Sequence, residues 1–429
     1  MKQIFKNAHL YDPASGLDGL GEIFVIDGRI EKISKAVGAR DADEVFDLGG
    51  QQLTPGFIDI HVHFREPGDE HKETIESGGK AGAAGGFTTV CGMANTNPVN
   101  DSVFVAKYIV NLAREKCVIR YHPIGAVSKG LESKEMVEYA AMIDAGCVAF
   151  SDDGRCVTDS YLARKTLEYL KDYNVPFIEH CEDCRLAMKG VMNEGKISFE
   201  MGLAGIPHAS EDVIVYRDLE IARLTGGHVH LAHLSSRHAV KALREGKRDG
   251  LRCSGEVTPH HLLLTEFDVK DLHTNFKMAP PLRNEEDRRA LVEALNDGTI
   301  GAIATDHAPH SVREKNVEFS QAANGVIGLE TAFAACMKLV SKGELKYHRL
   351  IEALTSGPAD IMNFKDRGRL KEGLLADFTI LDPKRAWTVE PEAFFSKSRN
   401  CPFNGWKLEG QVLKTFVGGR LVFDREKTR

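Results

Sequence analysis

The chain has 429 residues, 42% hydrophobic and 27% charged, and a formal net charge of −7 at pH 7. Its length suits one large α/β barrel with an accessory piece, or two to three ordinary globular domains. The net negative charge does not indicate the basic surface that nucleic-acid binding requires. No apolar run approaches the length of a membrane span. We therefore expect a small-molecule substrate as the partner, and neither nucleic acid nor a membrane.

Nine cysteines are scattered along the chain, several inside apolar runs such as TTVCGM and AGCVAF. Such positions are typical of reduced, buried thiols and predict a cytoplasmic protein. Cys181 and Cys184 form a C-x-x-C pair, but no second pair completes a structural zinc ribbon. The start, MKQIFKNAHLYD, has no apolar signal core and predicts a strand.

The two ends of the chain share a β character. Asp-Gly within IFVIDGRIEKI (23–33) predicts a hairpin, and LKTFVGGRLVF (413–423) repeats the pattern with Gly-Gly at the turn. We therefore expect one small β-sandwich-like accessory domain built from both termini, residues 1–55 plus 370–429.

Between these ends, β-rich runs alternate with segments whose apolar residues recur with a helical period. The helical segments include 102–116, 159–173, 284–298 and 328–343. The β-rich runs are 56–64, 86–93, 118–127, 145–153, 175–182, 228–235, 251–262 and 300–309. Strand followed by helix, about eight times over, predicts an α/β fold with a (β/α)₈ TIM-type barrel over residues 56–369.

Polar side chains cluster where the β-rich runs end. They are His61, His63, Asn95, Asp153, His180, His233, His260, His261 and Asp306. The ends of barrel strands converge at one rim, so we expect these side chains near one point. His61 and His63 share a face, because residues i and i+2 of a strand point to the same side.

Imidazoles and carboxylates without a thiolate cluster suit zinc or another divalent first-row metal. Four histidines and two aspartates (His61, His63, His180, His233, Asp153 and Asp306) exceed the roughly four ligands of one tetrahedral zinc. The pattern predicts either two metals or one metal with catalytic groups beside it. Asp306 is placed to shuttle the proton of an activated water.

Each residue alone also has a plainer interpretation. A single histidine at a strand end is often a hydrogen-bonded structural residue, 152–154 reads as a turn, and Asp306 could cap a helix. The joint placement of these residues at strand ends favours the metal site. Lys72 and Glu73 are expected on a solvated helix start.

Arg65 lies two residues beyond His63 on the same side of the chain, where its fork is suited to clamp a substrate carboxylate. Asn95 in MANTNP and His310 in TDHAPH could add donors to the same anion.

The chain resembles the dihydroorotases within the amidohydrolase superfamily. The resemblance spans nearly the whole chain and rests on DIHVHFREPG (59–68), AAGGFTTVCGMANTNP (83–98), AFSDDG (149–154), EHCED (179–183), HLAHLSS (230–236), EVTPHHLLLTE (256–266), ATDHAPH (304–310) and GRLKEGLLADFTILDP (368–383). REPG after H-x-H, together with M-x-N-T-x-P and TDHAPH, distinguishes this pattern from hydantoinases and allantoinases.

The resemblance implies a role for each matching residue. The first metal is bound by His61, His63 and Asp306, the second by His180 and His233, and the substrate carboxylate by Arg65, Asn95 and His310. Asp153 stands where many relatives carry a carboxylated lysine between two metals, which leaves open whether one or two Zn²⁺ ions bind. Ala279 stands where relatives commonly have Asn, so that polar contact is missing.

The implied reaction is the reversible interconversion of L-dihydroorotate and N-carbamoyl-L-aspartate in de novo pyrimidine (UMP) biosynthesis. Metal-bound hydroxide would attack the ring amide, with Asp306 as general acid and base. Two alternatives stay open: another cyclic amidase, acting on hydantoin or allantoin, and an inactive dihydroorotase-like partner of aspartate transcarbamoylase. A homo-oligomer is expected, and an active enzyme could also associate with that transferase. Cys181 is expected as a buried thiol, with competition for zinc as the alternative.

Overall fold

The computed structural model describes residues 1–37 and 41–427 and begins with a run of strands. These are β1 (Lys2–Asp12), β2 (Leu17–Ile26), β3 (Arg29–Ser34), β4 (Glu44–Asp47) and β5 (Gln52–Pro55). The predicted hairpin joins β2 and β3, which pair antiparallel. Its two turn residues, Asp27 and Gly28, have φ of 48° and 76°, the positive values that a tight two-residue turn requires.

The middle of the chain contains parallel strands separated by helices. In chain order the strands are β6 (Phe57–Val62), β7 (Phe87–Gly92), β8 (Arg120–Pro123), β9 (Phe177–Glu179), β10 (Met192–Asn193), β11 (Gly205–Ile206), β12 (Val229–Leu231), β13 (Cys253–Val257) and β14 (Ala302–Ile303). One parallel sheet has the order β6-β7-β8 and another the order β14-β13-β12-β9, while β10 and β11 pair by themselves.

Isolated parallel bridges link these two sheets on both sides. Phe150 bridges Gly125, just after β8, and Phe177 of β9, while Val62 of β6 bridges His307, just after β14. Segment 145–153, predicted as a strand, is therefore represented by a single bridging residue in the described part of the chain. It still runs parallel to its neighbours, but its pairing is too short to form a strand.

The helices follow the predicted alternation. They are α1 (Ile75–Ala84), α2 (Val103–Lys116), α3 (Tyr139–Asp144), α4 (Ser160–Tyr173), α5 (Cys184–Ala187), α6 (Lys196–Met201), α7 (Ala209–Thr225), α8 (Arg237–Arg248), α9 (Pro259–Leu263), α10 (Glu285–Asp297), α11 (Val312–Lys315), α12 (Ala332–Ser341), α13 (Tyr347–Leu354) and α14 (Ser356–Ile361). The four helices predicted from periodicity are confirmed as α2, α4, α10 and α12.

Side-chain caps explain where three of these helices begin. Ser102, Asp159 and Asn284 precede α2, α4 and α10, and each side chain accepts a hydrogen bond from a backbone N–H of the first turn. Such caps satisfy donors that have no partner inside the helix. Among the helices of the described residues, none is long and apolar enough to cross a membrane.

The last strands return to the sheet formed by the first ones. They are β15 (Phe378–Thr388), β16 (Lys407–Val417) and β17 (Arg420–Asp424), and the sheet runs β17-β16-β15-β5-β1-β2-β3, with β4 paired to β1. The ring of Phe5 stacks on Phe46 at 5.0 Å between centroids and meets Phe416 edge-on at 4.9 Å. This β-rich accessory part is thus built from both ends of the chain, around an aromatic core.

Candidate active site

The structure brings all six predicted metal ligands together at the carboxyl ends of the parallel strands. Two groups have ligand atoms that all lie within 4.8 Å of one another: His61, Asp153 and His233, and His61, His63 and Asp306. His180 joins the first group, with its Nδ1 at 2.9 Å from His233 Nε2 and 3.5 Å from Asp153 Oδ1. All six side chains are buried.

Three residues of the site have an uncommon backbone conformation. Arg65, His233 and Asp306 have φ of 59°, 31° and 46°, in the left-handed region that non-glycine residues rarely adopt. Each follows a parallel strand by two or three residues. Backbone strain of this kind concentrates at functional sites, where the surrounding structure holds it in place.

Two buried atoms of the cluster have no hydrogen-bond partner among the described residues: His61 Nε2 and Asp153 Oδ1. They face each other at 3.3 Å. His63 Nε2 lies 3.0 Å from Asp306 Oδ1 on the adjoining side. Unsatisfied buried polar atoms are rare, and convergent imidazole nitrogens and carboxylate oxygens are ligands of divalent first-row cations. The residues present therefore fit a bound divalent cation.

The charges of the cluster also favour a cation. Burial raises the pKa of the Asp153 and Asp306 carboxyls, but the facing imidazoles outweigh it, lowering the pKa of Asp153 well below its usual value and that of Asp306 to about 2. Burial lowers the pKa of His61, but Asp153 and Glu256 outweigh it and hold this pKa well above normal. Buried ionised carboxylates require positive charge beside them, from imidazolium or from a metal.

Glu256, on β13, contacts a predicted metal ligand and was not among the residues predicted from the sequence. Its Oε1 accepts a hydrogen bond from His61 Nδ1 at 2.7 Å, and its Oε2 lies 3.1 Å from His230 Nε2. Because Glu256 holds the proton on Nδ1, Nε2 is the nitrogen that would present a lone pair to a cation, once the second proton that the raised pKa favours has left. The available signal was a glutamate inside a small and apolar run, CSGEV.

A cavity of about 280 Å³ opens in front of the ligand cluster, and every predicted substrate-binding residue lines it. The lining residues are His63, Arg65, Asn95, Asp153, Gly154, His180, Glu182, His233, Ala279, Asp306, Ala308, His310, Asn324 and Gly325. Among these, sequence analysis did not single out Glu182, Asn324 or Gly325. Asn-Gly in a sequence is a turn signal and does not by itself indicate a site.

Asn95 contacts two of the predicted metal ligands. Its Oδ1 accepts a hydrogen bond from His63 Nδ1 at 2.9 Å, and its Nδ2 donates to the backbone oxygen of Asp153 at 3.3 Å. Asn95 therefore orients His63 as Glu256 orients His61, in addition to lining the cavity.

His310 is neutral in this arrangement. Burial and the nearby Arg65 guanidinium lower its pKa to about 4, and its Nε2 donates to the backbone oxygen of Asn324 at 2.8 Å. Its Nδ1 is buried without a hydrogen bond within the described residues. A carboxylate would be bound by that nitrogen only after it takes up a proton, which a nearby negative charge favours.

The expectation that Glu73 lies on a solvated surface was wrong. Glu73 is fully buried, and its Oε2 accepts a hydrogen bond from His307 Nε2 at 3.3 Å. His261 also has a structural role, with Nδ1 at 2.8 Å from Thr258 Oγ1 and Nε2 donating to Pro280 O at 2.9 Å. The thiol of Cys181 donates to Glu179 O at 3.5 Å, and Cys181 belongs to neither ligand group of the described chain.

Comparison with known proteins agrees with these motifs. The family model described as "Amidohydrolase family" matches residues 52–422. A dihydroorotase from Anaeromyxobacter dehalogenans is 49% identical over 425 residues, which are 98% of each chain. The chain belongs to the dihydroorotases of the amidohydrolase family. A dihydroorotase from Syntrophus aciditrophicus is 45% identical over 427 residues, 99% of this chain and 100% of that one.

Dihydroorotases are metal-dependent cyclic amide hydrolases, and the ligand cluster of this chain agrees with that chemistry. Among solved structures, L-hydantoinase from Arthrobacter aurescens is similar with a TM-score of 0.89 and 24% sequence identity, over 99% of this chain and 96% of that one. This likeness concerns the fold alone. It supports a TIM-type barrel with a β-rich accessory domain.

Proposed function

We propose that this chain interconverts L-dihydroorotate and N-carbamoyl-L-aspartate in de novo pyrimidine biosynthesis, with Zn²⁺ as its metal. The observation that carries the proposal is the pairing of two features in one cavity. The buried cluster of imidazoles and carboxylates and Arg65 line the same cavity. The near full-length similarity to dihydroorotases supports the same activity.

The ligands proposed for the metal are His61, His63, Asp153, His180, His233 and Asp306. When bound there, a divalent cation lowers the pKa of water and polarises a carbonyl. Asp153 would serve as a ligand with either number of ions, because its carboxylate lies among all four histidines. Its Oδ1 is 3.3 Å from His61 Nε2 and 3.5 Å from His180 Nδ1 and His233 Nε2, and its Oδ2 is 3.4 Å from His63 Nε2. One or two ions fit this donor set.

Asp306 is the proposed general base and acid. Its pKa of about 2 keeps the carboxylate ionised at neutral pH, and the side chain lines the cavity. An ionised carboxylate at this position can take a proton from water and give it to the ring nitrogen as the amide bond breaks, and its low pKa makes it a weak base but a strong acid, which favours the second transfer. In the direction of ring closure, the same group takes the proton from that nitrogen.

Arg65 is the residue proposed to bind the substrate carboxylate. Its Nε donates to Pro309 O at 3.3 Å, which leaves the terminal guanidinium nitrogens to form a forked pair with a carboxylate. Asn95 and His310 line the same cavity and complete the proposed set. Hydantoin and allantoin carry no such carboxylate, so Arg65 favours dihydroorotate over them.

The same proposal includes the domain bounds, the cellular location and the protein partners. The bridges at Phe150 and between Val62 and His307 support a closed barrel over 56–369, with 1–55 plus 370–429 as the accessory domain. The nine unpaired cysteines support the cytoplasm as its location. A second copy of the chain, in a homo-oligomer, and aspartate transcarbamoylase are the proposed protein partners.

The test is a side-by-side assay of purified protein of known metal content with dihydroorotate, hydantoin and allantoin. We expect turnover of dihydroorotate, loss of that turnover after chelation, and its return with added Zn²⁺. Turnover of hydantoin or allantoin alone would favour another cyclic amidase. No turnover of dihydroorotate by metal-loaded protein would contradict the proposed function.

A further inference from the structure

We propose that Asn400 is a positioning residue that holds together the two backbone segments facing the substrate carboxylate. These are segment 308–310, which carries His310, and segment 324–325; both line the cavity. Asn400 itself lies outside the predicted barrel range, in the C-terminal part of the chain between β15 and β16. The inference rests on the proposed function, because it concerns how that substrate is held.

The side chain of Asn400 is 3% exposed and its polar groups are all used. Its Oδ1 accepts from the backbone N–H of His310 at 3.2 Å. Its Nδ2 donates to Ala308 O at 3.0 Å and to Gly325 O at 3.1 Å. Its own backbone oxygen accepts from Ile327 N at 3.1 Å. One side-chain amide thus ties the two segments to each other.

These contacts extend to Arg65, the residue proposed to bind the substrate carboxylate. The Nε–H of Arg65 donates a hydrogen bond to the backbone oxygen of Pro309. Pro309 lies between Ala308 and His310, the two residues of segment 308–310 to which Asn400 is hydrogen-bonded. His310 in turn donates to Asn324 O across the same gap. The position of the Arg65 guanidinium and that of the His310 ring therefore both depend on segment 308–310 staying where Asn400 holds it.

Segment 324–325 is closely fitted against its neighbour. Gly325 has φ of +124°, and a Cβ there would lie 2.6 Å from Ala308 Cβ. Lys315 supports the same segment from the other side, where its buried ammonium donates to Gly325 O at 3.0 Å and to Ala323 O at 2.9 Å. Such tight packing means that a small displacement of one segment is transmitted to the other.

Within the described residues, the hydrogen bonds of Asn400 go to backbone groups and none goes to a proposed metal ligand. Its loss should therefore act on substrate affinity and leave the metal in place. A displacement of about 1 Å in a binding group can lower enzymatic efficiency by about 100-fold. We expect Asn400→Ala to raise KM for dihydroorotate by about 10-fold or more, with a much smaller change in kcat.

The decisive comparison uses Asn400→Asp. Aspartate has nearly the same shape and keeps the acceptor for His310 N–H, but its second oxygen would face Ala308 O and Gly325 O, two acceptors. We expect KM to rise at least as much as in Asn400→Ala. A side chain that only filled space would lower stability in this variant without raising KM for dihydroorotate.

The control is Asn275→Ala. Asn275 Nδ2 donates to the backbone oxygen of Cys401 at 3.3 Å, so it stabilises the residue next to Asn400, and among the described residues its side chain has no hydrogen bond to 308–310 or 324–325. KM, kcat, metal content and the thermal unfolding midpoint are measured for all three variants and the unmodified enzyme. We expect Asn275→Ala to keep the KM of the unmodified enzyme.

An unchanged KM in both Asn400 variants would overturn the inference, as would an equal rise in Asn275→Ala. A loss of metal or a fall in stability that accounts for the whole effect in the Asn400 variants would also overturn it. Failure of the unmodified, metal-loaded enzyme to turn over dihydroorotate would instead count against the proposed function, so the two failures are distinguishable.

Discussion

The cavity is lined by two groups of residues that are built differently: a ligand side, made of the proposed metal ligands, and a substrate side, made of Arg65, His310 and the segments around them. On the ligand side, the imidazoles and carboxylates lie at or just after the ends of parallel strands, and neighbouring carboxylates and amides orient them. On the substrate side, His310 and Gly325 lie on irregular segments that hydrogen bonds from Asn400 and Lys315 hold in place. The difference indicates that the metal chemistry is fixed by the barrel, whereas substrate selection depends on packing around it.

Asp306 is both a proposed metal ligand and the proposed general base and acid, so its substitution should have the largest effect. An asparagine at this position can still offer an oxygen to a metal but cannot accept a proton, so we expect Asp306→Asn to lower kcat by about 1,000-fold. Metal content, measured by elemental analysis, should stay close to that of the unmodified enzyme. A kcat near the unmodified value would show that another group moves the proton.

Glu256 tests the ligand side by itself. We expect Glu256→Gln to weaken metal binding by about 10- to 100-fold, because a neutral amide holds and polarises His61 less well than a carboxylate. Affinity is measured by competition with a chelator. Glu266→Gln is the control, since Glu266 is a buried carboxylate bonded to Asn193 at 2.7 Å rather than to a ligand. Equal affinities in all three proteins would refute the orienting role.

Arg65 tests the substrate side by itself. We expect Arg65→Lys to raise KM for dihydroorotate by about 10-fold, because lysine replaces a planar fork with a point charge. Metal affinity and kcat should change little. Arg155→Lys, at the neighbouring rim where Arg155 donates to Leu131 O, should leave KM unchanged. An unchanged KM in Arg65→Lys would contradict the proposal that Arg65 binds the substrate carboxylate.

Cys181 should have the smallest effect. Burial and the nearby acidic groups Asp218 and Glu179 raise its pKa well above the usual value, and the thiol donates to a backbone oxygen. We therefore expect Cys181→Ser to bind the same amount of metal, and cadmium-loaded unmodified protein to show no sulfur-to-metal charge-transfer band. Such a band, lost in Cys181→Ser, would place the thiol on the ligand side.

Most of the ligand side could be predicted from the sequence. The two-residue spacing of His61 and His63 fixes a shared face, and the repeated appearance of polar residues at strand ends indicates convergence at one rim. These are local patterns within short segments. Segment 145–153 shows their limit: its direction is as predicted, but its pairing reduces to the single bridging residue Phe150.

The contacts between distant segments could not be predicted in this way. Glu256 reaches His61 across 195 positions of sequence, and Glu73, expected in solvent, reaches His307 across 234. A charged residue near a helix start is usually solvated, so only the tertiary structure reveals its buried partner. The role of Asn400 depends on the same kind of contact, 75 positions from Gly325.

Anomalous diffraction at the zinc edge, on crystals grown with zinc and dihydroorotate, tests the two-sided cavity most directly. We expect one or two anomalous peaks within the cluster of His61, His63, Asp153, His180, His233 and Asp306, and the substrate carboxylate in contact with the Arg65 guanidinium. Zinc bound elsewhere, or a carboxylate pointing away from Arg65, would contradict it.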